Sequence, residues 1–333
     1  MGKIITIGEL MMRLTPKNKE RLKQAAEFKA YYGGAEANVA MSLSHFGHEA
    51  RFLSVFPEND IGDAAIAHLA RGGVDTSWVF REGDRLGTYF YEEGYSLKQA
   101  KVIYDRKHSA VHHLPDIELD WEAIYQDTDL LHITGITPAL SEELKTFTLT
   151  GLAKAKKSGV KVSFDFNYRG KLWTIDEARE TFLEILPYVD FCFAGYKDFV
   201  YLFGEEASES FSEPDLSRFY EDYALKYDIP MLASTDRHAV SATQNTLRGY
   251  LFQNGQLVQS GAYSLDVLER IGGGDAFTAG VLHGIISGMT PADTVEFATA
   301  SGVLKHMVYG DHNQFKADEV NAFLKNHAAD VSR

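Results

Sequence analysis

Three glycines and one carboxylate stand together in Ile271-Gly272-Gly273-Gly274-Asp275-Ala276-Phe277, and the apolar residues Phe277, Val281, Leu282, Ile285 and Ile286 recur at helical spacing. The spacing predicts a helix that begins beside Asp275. Glycines ahead of a helix let backbone N–H groups converge without obstruction, and the unpaired amides together with the helix dipole favour an anion. Gly272, Gly273 and Gly274 are therefore a candidate anion hole for a phosphate. A carboxylate beside such a cradle is repelled by the phosphate unless it has work there. Removing a proton from a hydroxyl that attacks phosphorus is such work, which makes Asp275 the candidate general base. The alternative is a glycine-rich turn whose acid only favours the helix start.

Two further stretches carry ligand-binding chemistry. In Tyr31-Tyr32-Gly33-Gly34-Ala35-Glu36-Ala37-Asn38-Val39-Ala40 a glycine pair again opens a helix. Small side chains at Gly33, Gly34 and Ala35 let a sugar approach the backbone, and Asn38 offers a donor and an acceptor to a hydroxyl. A tight turn with a helix packed closely on a sheet would look the same. The third stretch, Asp165-Phe166-Asn167-Tyr168-Arg169-Gly170-Lys171-Leu172-Trp173, puts acid, carboxamide and guanidinium just past a strand. There Arg169 can grip a carboxylate through two parallel hydrogen bonds, or form a loop salt bridge to Asp165.

These groups need elements that bring them to one place. Lys3 to Ile7 reads as a strand ending at Gly8-Glu9. Arg51 to Phe56 (strand), Asp60 to Gly72 (helix) and Val74 to Phe80 (return strand) follow in βαβ rhythm. The rhythm resumes with strands at Leu130 to Ile133, Val160 to Phe166, Phe191 to Ala194, Met231 to Thr235 and Leu247 to Phe252. Helices at Ser141 to Lys157, Ile175 to Leu186 and Asp215 to Tyr227 alternate with them. In open α/β sheets ligands bind at the carboxyl edge of the strands, where the third stretch would lie. Between the two βαβ runs, Thr88-Tyr89-Phe90-Tyr91-Glu92 and Lys101-Val102-Ile103-Tyr104-Asp105 alternate as strands that pair with each other. Such an insertion suits a lid over a polar ligand. Lys17 to Lys29 is charged and weakly patterned, and the twelve His residues lack metal-ligand spacing.

Composition excludes some partners. Lys plus Arg number 33 against 47 for Asp plus Glu, a net charge of -14, which argues against a nucleic-acid or anionic-membrane partner. The single Cys192 excludes an intramolecular disulfide, and no run of eighteen apolar residues occurs, so a cytoplasmic chain with no membrane span is expected. A Rossmann dehydrogenase is disfavoured because no G-x-G-x-x-G follows the first strand. A P-loop kinase is disfavoured because no G-x-x-x-x-G-K-[ST] occurs.

The order of features resembles the ribokinase-like (PfkB) carbohydrate kinases over essentially the full chain. Gly33-Gly34-Ala35-Glu36-Ala37-Asn38-Val39-Ala40 is similar to the family's early G-G-x-x-x-N-x-A pattern, and Ile271 to Phe277 to its late T-G-A-G-D-x-F signature. Within the family the match is nearest to the 2-keto-3-deoxygluconate kinases, through Gly8-Glu9, Arg13-Leu14, Leu86-Gly87-Thr88-Tyr89, Tyr104-Asp105-Arg106 and Asp165 to Arg169 with Leu172-Trp173.

The resemblance implies a single domain over 1–333, a three-layer α/β/α sandwich around a mainly parallel sheet, with a small β-sheet lid from about 10–32 and 84–113. It implies ATP and Mg²⁺ as partners in phosphorylating a sugar acid at its primary hydroxyl; the exposed aromatic faces of the lid strands lead us to expect a homodimer or higher homo-oligomer through the lid. Gly33, Gly34, Asn38, Tyr89, Tyr104, Arg106, Asn167 and Arg169 would bind the substrate, and Ser234 with Gly272 and Gly274 would bind ATP. The chain departs from the family pattern at Gly272, which replaces a Thr, and at Gly195-Tyr196-Lys197-Asp198, which replaces an N-x-x-E element and leaves Asp198 to serve the metal through water. A fructokinase-like enzyme for a neutral sugar and a non-catalytic sugar sensor are the alternatives. Arg106 with Arg169 speaks against the first, and Asp275 against the second.

Overall fold

The computed structural model describes residues 1–326. In chain order the elements are β1 (Lys3–Ile7), β2 (Met11–Pro16), β3 (Phe28–Gly33), α1 (Ala35–His45), β4 (Glu49–Phe56), α2 (Asp60–Arg71), β5 (Val79–Arg81), β6 (Thr88–Glu92) and β7 (Lys101–Asp105). Next come α3 (Trp121–Tyr125), β8 (Leu130–Thr134), α4 (Glu142–Lys157), β9 (Lys161–Asp165), α5 (Ile175–Ile185), β10 (Phe191–Phe193), α6 (Tyr196–Asp198) and α7 (Glu213–Tyr227). The chain continues with β11 (Met231–Ala239), β12 (Gln244–Gln253), β13 (Gln256–Gln259), β14 (Tyr263–Asp266), α8 (Gly273–Ile286), α9 (Pro291–Lys305) and α10 (Ala317–Asn326).

The main sheet runs in the order β13-β12-β11-β10-β9-β8-β1-β4-β5, with β14 paired to β12. Strands from β11 through to β5 are parallel, and the β12 pairings are antiparallel. Helices cover both faces, so the central strands are buried on both sides; all of β8 is buried, its His132 and Thr134 included. One face packs Leu144 and Leu152 of α4, Phe182 of α5 and Phe219 of α7. The other packs Val39 and Leu43 of α1, Leu69 of α2, Phe277 and Val281 of α8, and Phe297 of α9. Each such side chain contributes about 1.5–3 kcal/mol on burial. This is the expected three-layer sandwich. One boundary differs from expectation: the return strand predicted from Val74 is confined to Val79–Arg81, with Asp75 making only an isolated bridge to Arg51.

A second, four-stranded sheet has the order β3-β2-β6-β7. Strands β6 and β7 span the two predicted alternating runs and pair antiparallel, Tyr89 opposite Tyr104. Strand β2 joins β6 in parallel and pairs β3 antiparallel, which puts two further strands into the 10–32 region.

Candidate active site

Side-chain caps satisfy the first amides of most helices here: Asn59 on α2, Ser141 on α4, Thr174 on α5, Ser212 on α7 and Thr290 on α9. The helices α1 and α8 start instead on Gly34 and Gly272 and have no side-chain cap. Their leading amides are left for a ligand. The starts of α1 and α8 meet. Asn38, in the first turn of α1, donates from Nδ2 to Oδ2 of Asp275 in the first turn of α8 at 2.6 Å, across 237 residues of chain. Buried Asn38 Oδ1 has no partner and is free to accept from a ligand hydroxyl.

The three glycines have different reasons to be glycine. Gly272 has φ +80, a left-handed conformation that side chains resist, and a Cβ there would collide with the Asp311 carbonyl. Gly274 has an ordinary φ, and a Cβ there would meet nothing of the protein within 4 Å. It faces a cavity of about 480 Å³. That cavity is lined by Gly33, Gly34, Asn38, Tyr89, Tyr104, Arg106, Asn167, Arg169, Gly272, Gly273, Gly274 and Asp275. Every expected substrate and anion-hole position therefore shares one wall system.

At the carboxyl end of β9 the backbone turns through Asn167, whose φ is 40 and whose N–H donates to Asp165 Oδ1 at 3.0 Å. This turn swings Asn167 and Arg169 toward the cavity, and Asn tolerates such a conformation better than most residues. Arg169 is exposed, donates only to the Tyr168 carbonyl at 3.3 Å, and makes no ion pair among the described residues. The loop salt bridge to Asp165 does not form.

The acids around Arg169 are held above the usual carboxylate range. Burial first, then repulsion from Asp275 and Asp198, pushes Asp165 up to about 8. Burial raises Asp275 as well, opposed by the Asn38 hydrogen bond and by the charges of Arg169 and Lys305. Burial pushes Asp198 up to about 6, although its Oδ2 accepts from Gly195 N at 2.7 Å. Asp198 ends the short α6 beside this group and does not line the cavity. Ser234 does not line it either: it is buried on β11 with its Oγ 2.7 Å from Tyr220 Oη.

Tyr89 and Tyr104 enter the cavity from the small sheet, their rings 5.7 Å apart. Arg106 enters from the chain after β7, but its guanidinium is bonded to Glu9 at the end of β1, which also accepts from Ser109 Oγ at 2.6 Å. One of the two expected carboxylate-binding arginines is therefore already neutralised within the protein, and Arg169 is the one left unpaired.

The model of the pfkB family of carbohydrate kinases matches residues 1–316. The chain belongs to that family. A 2-dehydro-3-deoxygalactonokinase of Haloferax volcanii is 31% identical over 337 residues, covering 100% of this chain and 99% of that protein. A 2-dehydro-3-deoxygluconokinase of Bacillus subtilis is 30% identical, covering 92% of this chain and 90% of that one. Among solved structures, a 2-dehydro-3-deoxygluconokinase of Thermotoga maritima superposes with a TM-score of 0.94 at 36% identity, covering 98% of this chain and 100% of that one. The chain is a carbohydrate kinase, with the ribokinase-like fold expected from its motifs.

Behind the site of this pfkB kinase lies a set of charges that motif spacing did not reveal. Arg13, in the middle of β2 and fully buried, donates from Nη1 and Nη2 to Glu269 at 2.7 and 2.9 Å, and its Nε lies 3.1 Å from Asp311 Oδ1. Its guanidinium also lies over the Tyr31 ring at 4.4 Å. Asp311 accepts from the Tyr89 hydroxyl and lines the cavity. Fully buried Lys305 closes the set and is pushed down to about 8, burial outweighing the field of Glu269 and Asp311. Three of these four residues follow β14, outside every motif. The one available signal was the Arg13-Leu14 run, similar to the 2-keto-3-deoxygluconate kinases.

Proposed function

We propose that this kinase transfers the γ-phosphoryl group of ATP to the primary hydroxyl of a 2-keto-3-deoxy sugar acid, 2-keto-3-deoxygluconate first among them. The observation that carries this reading is the meeting of two uncapped helix starts around the Asn38–Asp275 hydrogen bond, opposite an unpaired arginine in one cavity. Asp275 accepts the proton of the attacking hydroxyl, and Asn38 holds the carboxylate in place while its free Oδ1 takes a substrate hydroxyl. The amides of Gly272 to Asp275 stabilise the charge on the transferred group. Arg169 grips the substrate carboxylate, and Tyr89 and Tyr104 pack over the sugar from the small sheet, which acts as a lid. The relatives named above as kinases of 2-dehydro-3-deoxy acids support this substrate class.

The same geometry fits the phosphates of ATP, because Gly274 leaves the α8 amides open to the cavity. It also fits Mg²⁺. Asp165 and Asp198 are oxygen donors that repel each other, and a hard cation would relieve that repulsion. Among the described residues no three His, Cys, Asp or Glu side chains converge to hold an ion alone, as suits a metal carried largely by phosphate oxygens and water. When bound, Mg²⁺ supplies charge neutralisation on the phosphate oxygens. Ser234 is carried to the ATP site by the family resemblance alone; its Oγ accepts from the Tyr220 hydroxyl.

The deciding experiment measures ADP release with ATP and a panel of 2-keto-3-deoxy acids, fructose and ribose. Turnover confined to the acids is expected. The internal pairing of Arg106 favours the neutral-sugar reading, and faster turnover of fructose would establish it; binding of a sugar with no turnover would favour a sensor.

We assign the enzyme to the cytoplasm. Cys192 is a buried free thiol, and no described helix is long and apolar enough to cross a membrane. We further assign a homodimer through the small sheet, whose edge strand β7 exposes Ile103 and Tyr104. Sedimentation equilibrium showing a monomer at micromolar concentration overturns the dimer.

A further inference from the structure

We propose that Arg237 and Arg270 form a guanidinium clamp for the phosphate chain of the nucleotide donor. Four described arginines make no ion pair: Arg71, Arg169, Arg237 and Arg270. Arg169 lines the main cavity. Arg237 and Arg270 share a separate recess between the β11–β12 hairpin, the loop after β6 and the segment that leads into the glycine turn. That recess meets the main cavity at Tyr91, Ala100 and Arg270. Arg270 stands two residues before Gly272, and Arg237 three residues beyond Ser234 on β11.

The two cations have little to hold them together. Arg237 has one long hydrogen bond, from Nη1 to Asn245 Oδ1 at 3.5 Å, and Arg270 has no hydrogen bond or ion pair among the described residues. Burial, and after it the charge of Arg270, pushes Arg237 down to about 10. The acid in the recess, Glu93, forms no ion pair with either. In a chain of net charge -14, pairing these guanidiniums internally would have been easy. Two adjacent, partly desolvated, unpaired guanidiniums beside an anion cradle form a fork for phosphate oxygens. A polyphosphate would remove their mutual repulsion, so binding there gains both new hydrogen bonds and relief.

The inference rests on the kinase reading above, and its test separates the two. Titration calorimetry on the wild type and on Arg237→Gln and Arg270→Gln would use MgATP, inorganic tripolyphosphate, adenosine and a sugar 6-phosphate as probes. Each variant should lose roughly tenfold to a hundredfold in affinity for MgATP and tripolyphosphate, the range for a charge-assisted hydrogen bond, with adenosine binding unchanged. Without ligand, both variants should melt at or above the wild-type temperature, because a repulsion has been removed. Tripolyphosphate should raise the melting temperature of the wild type more than that of the double variant. Unchanged affinity for MgATP and tripolyphosphate overturns the clamp. So does parallel loss of adenosine binding, which marks a structural defect, or arginine dependence for the sugar phosphate alone, which gives the site to the product. If the wild type binds tripolyphosphate through these arginines yet phosphorylates no sugar acid, the clamp stands and the sugar-acid assignment falls.

Discussion

Replacing Asp275 with Asn tests the base and the architecture at once, because the structure predicts opposite signs for activity and stability. Asn is the same size and can still face Asn38, whose Nδ2 now stands 2.6 Å from Asp275 Oδ2, but it cannot accept a proton. A positioned base contributes roughly 10² to 10⁴ in rate, so the turnover number should fall by that factor, about 2.7–5.5 kcal/mol of barrier. ATP binding should change little. Stability should move the other way: burial raises the Asp275 carboxyl, so the folded state resists its charge, and a neutral amide removes that cost. The sign with pH follows. A carboxyl raised on folding stabilises the protein below its unfolded range, near 3.8, and loses that contribution as pH rises through its folded value. The melting-temperature difference between Asp275→Asn and wild type should therefore be near zero at about pH 4 and grow toward neutrality. Steady-state kinetics and differential scanning calorimetry across pH read both quantities. Turnover within threefold of wild type removes Asp275 from the mechanism, and a variant less stable at pH 7 shows that the charge is structural.

Two further changes probe the walls of the site. Arg169→Ala should lower kcat/KM for the sugar acid roughly tenfold to a hundredfold, with Arg169→Lys between it and wild type, because a charge-assisted hydrogen bond contributes about 1.5–3 kcal/mol. The acid-to-neutral ratio of kcat/KM is the readout, and a ratio unchanged in Arg169→Ala excludes Arg169 as the carboxylate ligand. Glu269→Ala removes a two-pronged partner from fully buried Arg13 and should destabilise the fold by roughly 3–5 kcal/mol, lowering Tm by about 4–7 °C. A loss under 2 °C shows that Asp311 alone satisfies Arg13.

Much of this protein is set by local sequence. Period-2 and helical patterns placed α1, α2, α4, α5, α7 and α8 within a few residues, and placed β6 and β7 to the residue, since buried faces recur at fixed spacing whatever lies opposite; the short α3 and α6 carry no such pattern. The two glycine-opened helix starts were legible for the same reason: a missing side-chain cap is a property of a few consecutive residues. Strands β2 and β3 were not: Phe28–Gly33 is largely exposed on a small sheet, and the buried face of β2 carries Arg13 and Thr15, polar types that hide its alternation. What only the tertiary structure decided is which charges are free. Arg106 and Arg169 look alike in sequence, yet Arg106 is bonded to Glu9, 97 residues away, while Arg169 has no acid partner. Arg13-Leu14 reads in sequence only as a run shared with related kinases, and Glu269 and Asp311, more than 250 residues later, bury it in a charge cluster behind the site. A motif specifies which groups a chain owns. Charge pairing depends on distances of a few ångströms between segments remote in sequence, and those distances exist only once the sheet and helices have packed.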